Sequence, residues 1–190
     1  MRGASMLLAL AALPVPTHAQ QPEGFRGSML AEARAQQEVA ILGRFSAENR
    51  AKLERILNDT RGRNLPTRLL IDRMTAAKQK GVAESEIVSS TEALARHLEQ
   101  AGRALVRGGR GSPDDRELGL AATILERGCS PVQLQSVIRT ANPSRSLVVP
   151  FDVMLKLADK GMSIDAAAAQ VSGKLVQNAS DGDIRALVDG

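Results

Sequence analysis

Lys80-Gly81-Val82-Ala83, Arg127-Gly128-Cys129-Ser130 and Lys160-Gly161-Met162-Ser163 share one local grammar. In each, a basic residue precedes a glycine, an apolar residue follows, and a small residue able to open a helix comes next. Glycine enters the left-handed backbone region without the cost a Cβ imposes, so each copy predicts a helix that ends with glycine at C′. The apolar C″ residue then folds back on C3, the Schellman arrangement. Counting back, C3 is Ala77, Ile124 and Leu157, all apolar. Lys80, Arg127 and Lys160 fall where the helix dipole favours positive charge. The apolar anchor of the next helix stands six residues past the glycine each time, at Ile87, Leu134 and Ala167. The fold class that follows is all-α: short helical hairpins with Schellman-type turns at Gly81, Gly128 and Gly161. They are expected to pack as a small bundle or an α-hairpin array, with 33 to 47 residues between copies.

The turn also places the single cysteine. Cys129 fills the slot held by Val82 and Met162, which predicts a small buried plug rather than a reactive thiol.

Working outward, the periodicity is helical almost throughout. A first helix is expected over 29–42. Ser46 opens a second with Leu53, Ile56 and Leu57 on one face, and Pro66 sits in the first turn of a third, lined by Leu69, Leu70, Met74 and Ala77. A long helix over 84–107 carries Ile87, Thr91, Leu94, Leu98, Ala101 and Leu105. Gly108-Gly109-Arg110-Gly111-Ser112-Pro113 reads as a Gly-rich linker between an N-terminal subdomain, 28–107, and a C-terminal one, 114–190. Ser112-Pro113, Ser130-Pro131 and Ser163 open further helices, Pro150 lies in the first turn of one over 147–160, and Ser180 caps the last.

Residues 1–19 read as a secretory signal peptide. Arg2 supplies the charged start, Met6–Leu13 is an uncharged apolar run, and Thr17-His18-Ala19 offers small residues before a cut ahead of Gln20. The run is too short to cross a hydrocarbon core of about 30 Å. Residues 20–27 read as a mobile polar tail. The expectation is therefore an exported protein, periplasmic or extracellular, with no transmembrane segment after cleavage.

Composition narrows the chemistry. Phe25, Phe45 and Phe151 are the only aromatic residues, so the core must be aliphatic, and stacking platforms for sugars or single-stranded nucleic acid are scarce. One cysteine excludes an intramolecular disulfide. The formal charge is +4, and it is uneven: residues 44–80 hold ten basic side chains against four acidic, residues 111–190 eight against ten. A basic segment of this kind suits an anionic surface, polymer or protein partner. Arg61, Arg63, Arg68 and Arg73 near one helix junction, and Arg103, Arg107 and Arg110 at the end of the long helix, are the candidate contacts.

No catalytic set emerges. His97 is the one histidine beyond the signal segment, no Gly-x-Ser-x-Gly is present, and one His with one Cys cannot close a zinc site. Asp181-Gly182-Asp183 lacks the ligand count of a calcium loop, and the glycines at 108–111 follow no strand. No cofactor or metal is expected. Residues 76–87, and 122–137 similarly, resemble a DNA-binding helix-turn-helix, with alanine in the first helix, glycine in the turn and an apolar residue in the second. That likeness implies DNA binding if the N-terminus is not a signal. Export argues against it, and the same turn recurs where the charge is neutral or acidic. The function expected from the sequence is non-enzymatic binding or scaffolding. An enzyme using Asp/Glu or Ser without histidine is the alternative.

Overall fold

The aliphatic stripes do form helices, and the helices pair along them. A computed structural model describes residues 23–189, with residues 23–31 described by their backbone alone. Among these residues there are nine α-helices and no strand: α1 (Glu23–Leu42), α2 (Ala47–Gly62), α3 (Arg68–Gln79), α4 (Glu84–Arg107), α5 (Asp115–Glu126), α6 (Pro131–Thr140), α7 (Val148–Asp159), α8 (Ile164–Val176) and α9 (Asp181–Asp189). The segment read as a signal peptide lies outside the described residues. Residues 23–27, expected as part of a polar tail, belong to α1.

All three glycine turns close as Schellman turns. Gly81, Gly128 and Gly161 have φ of 71°, 95° and 95°. The C″ amides of Val82, Cys129 and Met162 donate to the C3 carbonyls of Ala77, Ile124 and Leu157 at 3.1–3.2 Å. The C′ amides donate to Lys78, Leu125 and Ala158 at 3.0–3.1 Å. Ile87, Leu134 and Ala167, the anchors six residues on, are fully buried.

The same device occurs at three more places. Asn64, Gly109 and Asn178 have φ of 55°, 98° and 52°. Behind them Leu65, Arg110 and Ala179 donate to Thr60, Leu105 and Lys174. Asparagine tolerates the left-handed region better than other side chains, which explains its use at two of these sites. With six turns in place, the spacing of 33 to 47 residues is no structural period, and the helices pack as a bundle rather than as a regular array.

The caps differ from expectation in detail. Asp114 caps α5 by accepting from Glu117 N at 2.7 Å, so Ser112-Pro113 stands before the helix rather than at its start. Pro66 likewise precedes α3, which Thr67 leads. Ser130, Ser163 and Ser180 cap as the sequence implies.

α4 is the central element. It packs against α2 and α3 on one side and against α5 and α6 on the other, while α7 bridges α5, α8 and α9. The buried hydrophobic side chains, from Ile41 to Ile184, form one largely aliphatic cluster that includes Phe45 and Phe151. The two stretches 28–107 and 114–190 share this core. The segment 108–113 is thus the tight corner between α4 and α5.

Candidate functional site

The candidate arginines sort into three environments. Arg63, Arg103 and Arg107 border a groove of about 600 Å³ whose lining includes Leu65, Gly102 and Leu118. The sequence explains its shape. Leu65 is the C″ residue of the α2 turn, so that turn drops an apolar side chain beside α4. Gly102 lacks a side chain on α4 facing it: a Cβ there would stand 3.7 Å from both Leu65 Cδ2 and Leu118 Cδ1. Leu118 belongs to α5, so the groove spans the corner at 108–113.

The rim is held by charge. Glu99 pairs with Arg63 and, at 2.7 Å, with Arg103. Arg107 has no acidic partner among the described residues, and Asp115 stands across the groove in the first turn of α5. Arg61 and Arg68 border an adjoining hollow of about 370 Å³ that shares Leu65, Pro66 and Asp115 with the groove. Arg61 is tied to Glu38 of α1 at 2.9 Å and Arg68 to Asp72 at 3.5 Å. Five of the seven arginines therefore gather around Leu65-Pro66.

The other two do not. Arg73 pairs with Glu126 of α5 at 2.8 Å, and this hydrogen bond holds the Glu126 carboxyl below its ordinary range. Arg110 is buried, and its Nη1 donates to the Pro143 carbonyl at 2.7 Å. It is therefore a structural tie rather than part of an exposed basic face. Glu99, Leu65, Gly102 and Leu118 are site residues that charge counting missed. The i, i+4 spacing of Glu99 and Arg103 was the one local signal.

Remaining chemistry is sparse. Cys129 is buried, and burial with Asp165 nearby pushes its thiol up to about 11. His97 is half-buried, with a buried Nδ1 that has no partner among the described residues. Among the described residues no group of three His, Cys, Asp or Glu is arranged to hold a metal, and no helix is long and apolar enough to cross a membrane. At the helix-turn-helix-like segment, Glu84 and Glu86 occupy the first turn of α4, where a recognition helix would meet phosphate. Lys78 is held by Glu84 at 2.7 Å.

The fold and groove define a class, an all-α bundle with an apolar-floored, arginine-bordered groove. Compared with protein-family models, with curated proteins and with solved structures, the chain finds no match.

Proposed function

We propose that this chain is an exported, non-enzymatic binding protein whose groove takes an acidic amphipathic helix of a partner protein. The observation that carries the reading is the apolar floor of Leu65, Gly102 and Leu118 beneath Arg63, Arg103 and the unpaired Arg107. An amphipathic helix seats apolar anchors in such a groove while its acidic edge meets the basic rim. Each leucine so buried contributes about 1.5–3 kcal/mol, whereas each exposed ion pair adds at most about 1 kcal/mol. Apolar fit sets the affinity, and the arginines set orientation and on-rate. Signal-directed export rests on Arg2, the Met6–Leu13 run and the Thr17-His18-Ala19 cut site.

The test uses a fluorescent, anionic apolar dye, anilinonaphthalene sulfonate, displaced by a synthetic Leu/Glu amphipathic helix. Gly102→Leu fills the floor while favouring helix, and Arg107→Glu reverses the unpaired rim charge. The expected result is saturable binding weakened at least about tenfold by Gly102→Leu, equivalent to about 1.4 kcal/mol. Arg107→Glu should weaken peptide binding chiefly at low salt. Unchanged displacement in both variants overturns the groove. Retention on anionic vesicles that survives Gly102→Leu but is lost on charge reversal of Arg61, Arg63 and Arg68 replaces it with a surface-charge reading. An N-terminus at Gln20 in protein recovered from its native cell is the expected mark of export, and an intact Met1 defeats it.

A further inference from the structure

Arg110 occupies the C″ slot of the turn that closes α4, the slot held in the other five turns by Leu65, Val82, Cys129, Met162 and Ala179. Five sister turns show that the geometry asks for no charge here. The Arg110 side chain is nonetheless nine-tenths buried. Its Nη1 is used on Pro143, and its Nη2 is buried without a partner among the described residues. Buried charged donors are rarely left unmade, because the lost hydration is not returned.

Beside this guanidinium lies a polar cavity of about 360 Å³, whose wall includes Arg110, Ser112, Asp114, Glu117, Pro143 and Arg145. Parts of that wall are committed elsewhere. Glu117, itself buried, caps α7 by accepting from Leu147 N at 2.6 Å. One oxygen of Asp114 caps α5. Arg145 is locked on the Ala179 carbonyl and Asp181. The wall thus carries two guanidinium groups and two carboxylates, with no net charge. A simple anion meets the carboxylates and a simple cation meets the arginines, so each is opposed by half of the lining.

We propose that this cavity binds a small zwitterion of the amino-acid type, its carboxylate accepting from Arg110 Nη2 and its ammonium turned to Asp114 and Glu117. A carboxylate supplies the acceptor that Nη2 lacks, in the planar geometry a guanidinium prefers. The cavity is open to solvent but Nη2 is buried behind its wall, so a carboxylate reaches Nη2 only when the turn at 109–112 shifts, and that turn has room. No heavy atom lies within 4 Å of where a Cβ of Gly109 or Gly111 would stand. The cavity and the groove share Gly111 and Ser112 of segment 108–113, while Pro143, Ser144, Arg145 and Ser146 line the cavity and not the groove.

The probe is glycine, compared with its two halves, acetate and methylammonium, at matched ionic strength. The readout is the backbone amide shifts of Ser144 and Ser146, which line the cavity and not the groove, in proton–nitrogen NMR. Arg110→Met is the control, since Met162 already fills the equivalent slot of another turn and the amide spectrum itself reports folding. The expected result is a saturable shift with glycine, about tenfold weaker binding of either half, as loss of one ionic contact implies, and no saturable shift in Arg110→Met. Absence of a saturable glycine shift in the wild-type protein overturns the site. So does an equal shift in Arg110→Met, and binding of acetate as tight as that of glycine overturns the zwitterion.

Discussion

Glu84 joins three segments through one carboxylate. Its Oε1 accepts from Lys78 Nζ at 2.7 Å, and its Oε2 from Asn49 Nδ2 and the Ser46 amide at 3.0 Å each. The Lys78 hydrogen bond first, then those of Asn49 and Ser46, hold the carboxyl down to about 2. The folded value lies below the unfolded one of about 4.3. Ionised Glu84 therefore stabilises the fold fully above about pH 4.3, and that contribution disappears as the pH falls through about 2. Glu84→Gln should lower the urea midpoint at pH 7, with the gap from wild type closing as the pH drops from 4.3 toward 2. A gap constant across that window would show that the carboxylate's charge is not what joins the segments. This role was illegible in the sequence because Ser46 and Asn49 lie 38 and 35 residues from their acceptor. Cys129 was legible, since its setting is fixed by the two residues before it in the turn.

At the scale of elements, two glycines are required for different physical reasons, and one experiment separates them. Gly128 is required by its φ of 95°, with nothing within 4 Å of a Cβ placed there. Gly108 has an ordinary helical φ of −78°, yet a Cβ would stand 2.4 Å from Ile138 Cγ2 of α6. Gly128→Ala should cost about 1–2 kcal/mol in strain that no neighbouring truncation relieves. Gly108→Ala should cost about 1–3 kcal/mol by pushing α6 from α4, and Ile138→Ala should offset part of that loss in the double variant. Urea denaturation of the three single variants and of Ile138→Ala combined with each glycine variant in turn reads the coupling directly. Additive losses for Gly108→Ala with Ile138→Ala would refute the close-approach account. The sequence revealed turns where a glycine preceded an apolar residue. It concealed the turn at Gly109, where the C″ residue is the charged Arg110 rather than an apolar one, and those at Asn64 and Asn178, where the left-handed residue is not glycine.

At the scale of the molecule, the groove and the core test the same corner. Arg63 and Gly102 come from before segment 108–113, and Asp115 and Leu118 from after it. No charge count over one stretch of sequence could have shown that assembly, because the apolar floor exists only once α4 has packed on α5. The buried cluster runs from α1 through α4 to α9, and α4 meets α5 and α6 across the corner, so 28–107 and 114–190 each bury apolar surface on the other. A shared core of this kind should unfold in one cooperative step, with equal calorimetric and van't Hoff enthalpies. Residues 28–107 expressed alone should give no cooperative transition, since the faces of α4 that meet α5 and α6, near Gly102 and Gly108, would lie open to water. Two thermal transitions in the intact chain, or a cooperatively folding 28–107 fragment, would return 108–113 to the status of a linker and dissolve the groove as a fixed feature. Coincident loss of dye binding and helicity on heating is the corresponding sign that groove and core stand or fall together.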